Sequence, residues 1–471
     1  MSGYQISRRT LLRAGTAGAA LTVGGLPRSA FAQSATRQEN VRVSFDGFAA
    51  HAEPAVAANP RDPANLIAAC MAGEHDDPGL IAAYASFDGG KSWSSKGALP
   101  LPAGSVVADD VTVAFTPDGR GFVAAMATSE VSRTDRGVYH WRTDDGGRSF
   151  RAPATVVSGV FVDHPTLSAE TGCAGGSPAR LYATWVGDEH QSLGFTRSLD
   201  GGVTFEAPRA IQGAADTGIS DTRSASGPNG LVCAVYGTDP APSDGGGGDG
   251  GDGGGDGGGK TPDDKGGGGG GDGGDHQFVV KAVTSADGGA TFTAPAVLGL
   301  SDPAVSLPGG VIANGGPSVA VDPRSGALYV AFATRQPGAD HTDIVVCAST
   351  DAGATWSAPV TATPTTGAVV YFQPELAVDH KGRLWCSAFA LADGLVDLVL
   401  VCSPPGQPAF TAPLTVTSAP FDPTPANDGN PKHGAWWIGD YQGLAATPYG
   451  VHPLWNDTRT GQLELYTALV K

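Results

Sequence analysis

The sequence predicts an all-β fold, a single β-propeller of seven four-stranded blades. Three observations lead there: a composition that resists helix, a turn motif that recurs along the chain, and a strand pattern that recurs once more often than the turn. Of 471 residues, 70 are Gly and 35 are Pro, while only 16% are charged. Gly and Pro interrupt helix interiors, which argues against a mostly helical protein. Length alone allows two or three ordinary domains, so the repeats have to decide. The formal net charge of -18 repels nucleic acid and anionic membrane surfaces, so neither is expected as a partner. No apolar run reaches the roughly 20 residues that span a bilayer, and no membrane span is expected.

At the amino terminus, residues 1–32 hold four Arg and no acid. Ser7-Arg8-Arg9-Thr10-Leu11-Leu12-Arg13 resembles a twin-arginine export motif. An apolar stretch over 14–26 and then Ala30-Phe31-Ala32 follow it, and cleavage is expected after Ala32. A disordered basic arm is the alternative. Export would deliver residues 33–471 to the periplasm or the cell exterior. Val41-Arg42-Val43-Ser44-Phe45 comes next and reads as a spare strand.

An eight-residue pattern, Ser/Thr-x-Asp-x-Gly-x-x-aromatic, then recurs at 86–93, 143–150, 198–205, 285–292 and 349–356. A sixth, degenerate copy at 403–410 has Pro405 in place of Asp and Gln407 in place of Gly. From the second copy on, the aromatic is followed by x-Ala-Pro, as in Phe410-Thr411-Ala412-Pro413. A carboxylate and a hydroxyl at this spacing can bond turn backbone, the Gly permits positive φ, and the aromatic is placed to plug the space between sheets. Asp88, Asp145, Asp200, Asp287 and Asp351 are therefore read as structural rather than catalytic.

Ahead of each copy stand an alternating strand, a turn and an apolar strand. Pro54-Ala55-Val56-Ala57, Pro317-Ser318-Val319-Ala320 and Pro374-Glu375-Leu376-Ala377 show the first of these, with weaker versions from Asp110, Pro165, Thr222 and Gln442. That makes seven strand patterns against six turns. After the last come strands near 451–455 and 463–469, and the spare strand at 41–45 would complete the sheet and close a ring, removing open edges. Six blades, with a terminal unit as decoration, is the alternative count.

One interval between turns is long because residues 244–275, which hold 20 Gly and eight Asp, are inserted there. The segment buries too little apolar surface to offset ordering entropy and reads as a disordered loop. The six Cys lack the paired short spacing of a zinc site. Cys386 and Cys402 flank a hairpin turning at Asp393-Gly394, where a cross-strand disulfide could form; buried free thiols are the other reading.

If the repeated turns occupy one face, polar residues gather on the opposite one. Loops leading into first strands carry His51, Glu53, Asp109, Asp110, Asp163, His164, Asp221, Arg223, Gln373, Glu375, Asp440 and Tyr441. Loops between second and third strands carry Glu74, His75, Asp76, Asp77, Asp188, Glu189, His190, Arg335, Asp340, His341, Asp457 and Arg459. Such convergence at a channel mouth suits a ligand, because rigid sheets hold each group while its tip faces a shared space. A solvated polar rim is the plain alternative. Trp436-Trp437 could stack on a sugar ring or pack in the core.

The repeated turns resemble the Asp-box of bacterial sialidases and related propellers, and the resemblance covers nearly all of residues 33–471. It implies a propeller of six blades, a point of disagreement with seven. It also implies three Arg that clamp a sugar carboxylate, a Tyr nucleophile assisted by Glu, and an Asp acid ahead of the first turn motif. Onto this sequence it carries Asp76 as acid, Glu375 as base, Tyr441 as nucleophile and Arg223, Arg335 and Arg459 as clamp. His51, Asp163, His164, His190 and Asp221 are further candidate binding residues. The family's aromatic-Arg-Ile-Pro segment is absent; its neighbourhood reads His51-Ala52-Glu53-Pro54.

The function expected is an exported glycoside hydrolase, an exo-sialidase or related glycosidase, acting without a cofactor on a glycan or glycoconjugate as a monomer. The alternatives are a non-catalytic propeller that binds glycan or protein on the same rim, and a metal-dependent hydrolase using the rim His.

Overall fold

The computed structural model describes residues 36–74, 77–132, 134–171, 179–240, 277–335, 339, 341–364, 369–406, 408–426 and 438–471. The segment expected to be an export signal, the Gly/Asp-rich insertion, His75, Asp76, Cys173, Asp340 and Trp436-Trp437 lie outside the described residues. No helix of the described chain is long and apolar enough to cross a membrane.

Seven antiparallel sheets of four strands each follow one another along the chain. Blade 1 is Ala50–Ala58, Leu66–Glu74, Asp77–Ser86 and Ser94–Ala98. The inner strands of blades 2 to 7 are Ser105–Phe115, Asp163–Ala169, Ser220–Ser226, Ser318–Val321, Val370–Val378 and Gly443–Thr447. Each inner strand packs against those of the neighbouring blades, and blade 7 meets blade 1, so seven blades form the ring rather than six. Blade 7 takes its outer strand, Val41–Arg42, from the start of the described chain; it pairs with Glu464–Thr467, as the spare strand predicts.

Second strands show why the blades stack. Leu66, Ile67, Ala68, Ala69, Cys70 and Ala72 are all fully buried, because both faces of the sheet are covered by neighbours and alternation with polar residues would strand polar groups. The core lies between blades. The aromatic of each repeated turn packs into the layer it shares with the preceding blade: Trp93, Phe150, Phe205, Phe292, Trp356 and, from the degenerate copy, Phe410.

The five turns share one hydrogen-bond set. In the first, Ser86 Oγ donates to Asp88 Oδ1 (2.9 Å) and accepts from Gly90 N (2.9 Å), while Asp88 accepts from Ser92 N (3.0 Å) and Ser92 Oγ (2.5 Å). The same contacts recur around Asp145, Asp200, Asp287 and Asp351. A Ser or Thr before the aromatic is thus a working member of the motif, one the eight-residue pattern left as x. Gly202 shows why Gly is required: φ is +83°, and a Cβ would stand 2.9 Å from Leu181.

Cys386 and Cys402 form no disulfide. The hairpin turns at Asp393-Gly394 as expected, with φ of +50° and +78°, but Cys386 pairs across from Val401 and Cys402 from Trp385. A one-residue offset puts the two thiols on opposite faces of the sheet. Both are free, as are Cys70, Cys233 and Cys347.

Candidate functional site

The polar face is built by a repeated backbone defect. Five inner strands carry a bulge near their start, where the register against the second strand slips. At each slip sits a non-glycine residue with left-handed φ: Glu53 (+54°), Asp110 (+53°), His164 (+46°), Asp221 (+47°) and Gln373 (+49°). Blades 5 and 7 show no such slip; Gly316 precedes the inner strand of blade 5, and Gly439 (φ +93°) stands just ahead of Asp440 in blade 7. Such φ values cost about 1–3 kcal/mol each and persist where the surrounding sheet enforces them. A bulge re-aims the side chain it carries, and here it does so in blade after blade around one axis. The polar residues expected in loops thus belong largely to the strands themselves.

A recess at this mouth is lined by His164, Asp221, Arg223, Gly316, Pro317, Pro374, Glu375, Asp440 and Tyr441, with a volume of about 10 Å³. That is room for one water molecule. His164 is the hub. Its Nε2 lies 3.7 Å from Asp440, 3.9 Å from Asp163 and 4.0 Å from Asp221, and its backbone N–H donates to Asp110 (3.1 Å). Burial alone would lower the imidazole, but Asp163, Asp110, Asp221 and Asp440 raise it to about 10, so it stays charged at neutral pH.

Tyr441 is buried, and its hydroxyl donates to Val111 O (3.1 Å). Burial and the Glu53 and Asp110 carboxylates hold the phenol well above its ordinary pKa, while Arg223 opposes them. The Arg223 guanidinium carbon stands 3.8 Å over the Tyr441 ring. Glu53, 1% exposed, is pushed well above the carboxylate range by burial and by Asp110 and Asp440. Its Oε1 accepts from Asp440 N (3.4 Å), and its Oε2 has no partner. Burial raises Glu375 to about 7, against the pull of Arg223 and a hydrogen bond with Ser318.

Glu375, Tyr441, Arg223, His164 and Asp221 therefore meet in one recess, with Asp163 against its hub. His190 stands 3.9 Å from Asp163 and is tied through Nδ1 to Ile219 O (2.9 Å). Asp76 lies outside the described residues. The three arginines do not converge. Arg335 is engaged with Asp302, and Arg459 with Asp457, Ser418, Asn40 and the ring of Tyr466. His51 is not at the recess either. It is 1% exposed and spends both ring nitrogens on the closing seam, bonded to Asp46 (3.0 Å) and Leu463 O (3.0 Å). Glu53 and Asp110 are the acidic groups that act on Tyr441, and Glu375 lines the same recess. Among the described residues no group of three or more His, Cys, Asp or Glu is disposed to hold a metal ion.

No family model and no curated protein matches the sequence. Among solved structures, a polysaccharide lyase of family PL25, an ulvan lyase bound to -[GlcA(1-4)Rha3S]-, is similar with a TM-score of 0.50 and 12% identity, over 90% of this chain and 95% of that one. The GH93 α-L-arabinofuranosidase of Fusarium graminearum with arabinobiose matches at a TM-score of 0.46 and 15% identity, over 75% and 92% of the two chains. A leech intramolecular trans-sialidase complexed with 2,7-anhydro-Neu5Ac matches at 0.47 and 13% identity, over 75% and 67%. At these identities the likeness to the ulvan lyase speaks for a common propeller fold alone.

Proposed function

We propose that the chain is an exported carbohydrate-active propeller, a glycoside hydrolase working at the channel mouth. The observation that carries this reading is Tyr441 set between Glu53 and Arg223, with Glu375 on the same recess. A phenol held protonated is no nucleophile by itself. Glu375, which exchanges its proton near neutrality, accepts the phenolic proton as the Tyr441 oxygen attacks the anomeric carbon, and Arg223 stabilises charge growing on the phenol. Glu53, held protonated by burial and by Asp110 and Asp440, donates to the departing oxygen; water then releases the sugar. Asp76, the acid implied by the sialidase resemblance, is a second donor. One guanidinium in place of three weakens the sialidase reading and leaves a related glycosidase.

The volume of the recess favours a second reading, a propeller that binds glycan without turnover, since a sugar ring has to stay at the mouth. Release of chromophore from a panel of aryl glycosides, one sialoside included, separates the two. Turnover that disappears in Tyr441→Phe with the melting temperature unchanged supports the hydrolase; binding on a glycan array with no turnover supports the alternative. Export rests on residues 1–32, and Arg8→Lys with Arg9→Lys should retain the unprocessed chain in the cytoplasm.

A further inference from the structure

We propose that the mouth over the recess takes a glycan carrying no anionic group, and that within this class a sugar with a free ammonium binds tightest. The inference rests on the glycan reading above and deepens it. Its first support is charge. Six carboxyls surround the recess, Glu53, Asp110, Asp163, Asp221, Glu375 and Asp440, and the cations set among them are His164 and Arg223. His190 and Arg136 act on Asp163 from its outer side. Burial holds Glu53, Asp163 and Glu375 above the ordinary carboxylate range, so Asp110, Asp221 and Asp440 set the negative excess over the two cations, and the whole chain, at -18, adds a field of the same sign.

Its second support is the state of the two central cations. A carboxylate ligand is gripped by a guanidinium fork with its donors free. The Arg223 guanidinium carbon stands 3.8 Å over the Tyr441 ring with the Glu53 and Glu375 carboxyls near enough to act on it, and His164 is enclosed by four carboxylates. An incoming carboxylate or sulfate would compete with acids already in place.

The third support is the kind of atom left unsatisfied. Gln373 Oε1 and Gln442 Oε1, on residues 1–2% exposed, have no hydrogen-bond partner. Both are acceptors beside the recess: Gln442 Nε2 donates to Gln373 O (2.7 Å), and Gln373 adjoins the lining residue Pro374. Buried acceptors without partners call for donors, which hydroxyls and ammonium groups supply and carboxylates do not.

The test is binding, so that it does not depend on turnover. The mature chain, residues 33–471, is applied to an array of neutral, amino and uronate or sialylated oligosaccharides, and the hits are titrated calorimetrically. The expected result is retention of amino and neutral sugars, with the amine affinity falling about tenfold between about 50 and 500 mM salt. Asp221→Asn, a residue that tolerates left-handed φ, should cost the amine about tenfold and a neutral sugar less than about twofold, with an unchanged melting temperature. Tightest binding of an acidic sugar overturns this inference and leaves the glycan reading standing. Retention of no class overturns both.

Discussion

Glu375 carries its protonation change close to neutrality. Its pKa stands at about 7 in the folded chain against an ordinary 4.5, with burial as the first cause. Between those values the folded state keeps a proton that the unfolded state releases, so this contribution to stability is complete below pH 4.5 and lost as pH rises through 7. The difference is about 3 kcal/mol. Glu375→Gln removes the titration, so the variant should gain on the parent by up to about 3 kcal/mol between about pH 4 and pH 8 in denaturant melts, while losing turnover. A parallel pH profile in parent and variant would contradict the shift. Glu375, Tyr441, Arg223, His164 and Asp221 were legible in the sequence because strand-start positions follow from the repeats. Arg335 and Arg459 were misassigned because loop position gives the face but not the direction of a side chain, and acids next to each in the fold, Asp302 and Asp457, claim them. The weight of Glu53, Asp110 and Asp440 was missed since a bulge is a matter of φ. A signal was present: Pro54, Pro165 and Pro374 interrupt strands, and Pro inside a sheet marks an edge or a bulge.

At the scale of the element, two devices recur with opposite roles. The turn on one face spends its carboxylate on backbone and hydroxyl donors, and Asp88 and Asp145 titrate below the ordinary carboxylate range once those hydrogen bonds offset desolvation. The bulge on the other face leaves its carboxylates to the recess. Asp88→Ala should therefore cost about 1 kcal/mol, as the loss of a helix cap does, with catalytic constants unchanged. Adding Asp200→Ala in blade 3 should double the loss, because the two turns share no contact. A turnover defect in either variant would show that the turns reach the site. Blade boundaries were legible because hydroxyl, carboxylate, Gly and aromatic keep a fixed spacing; the hydroxyl before the aromatic escaped notice because Ser and Thr are common in any turn.

The whole molecule depends on its closing sheet. Val41 and Arg42 pair with Thr467 and Tyr466, and Glu464, 1% exposed, accepts from Arg42 and Ser44. A chain beginning at Phe45 loses the pairing and leaves a buried carboxylate without its partners, so its stability should fall by about 3–5 kcal/mol; an unchanged melting temperature would mean the ring does not need the strand. The insertion should matter far less. The ladder on either side of it runs unbroken to Thr238 opposite Val279, and replacing residues 244–275 by a short linker should leave the melting temperature within about 2 °C. Seven blades were countable from sequence because strand patterns outnumber turns by one, whereas the size of the recess was not, since it depends on how seven inner strands pack. The account turns on Tyr441 being the atom donor to the sugar. The direct measurement is inactivation of the mature chain with fluorinated glycosyl fluorides of each sugar class, followed by mass mapping of peptides. A single glycosyl adduct on Tyr441 is the expected result. Inactivation with the adduct on another residue, or turnover that never yields an adduct, would contradict it.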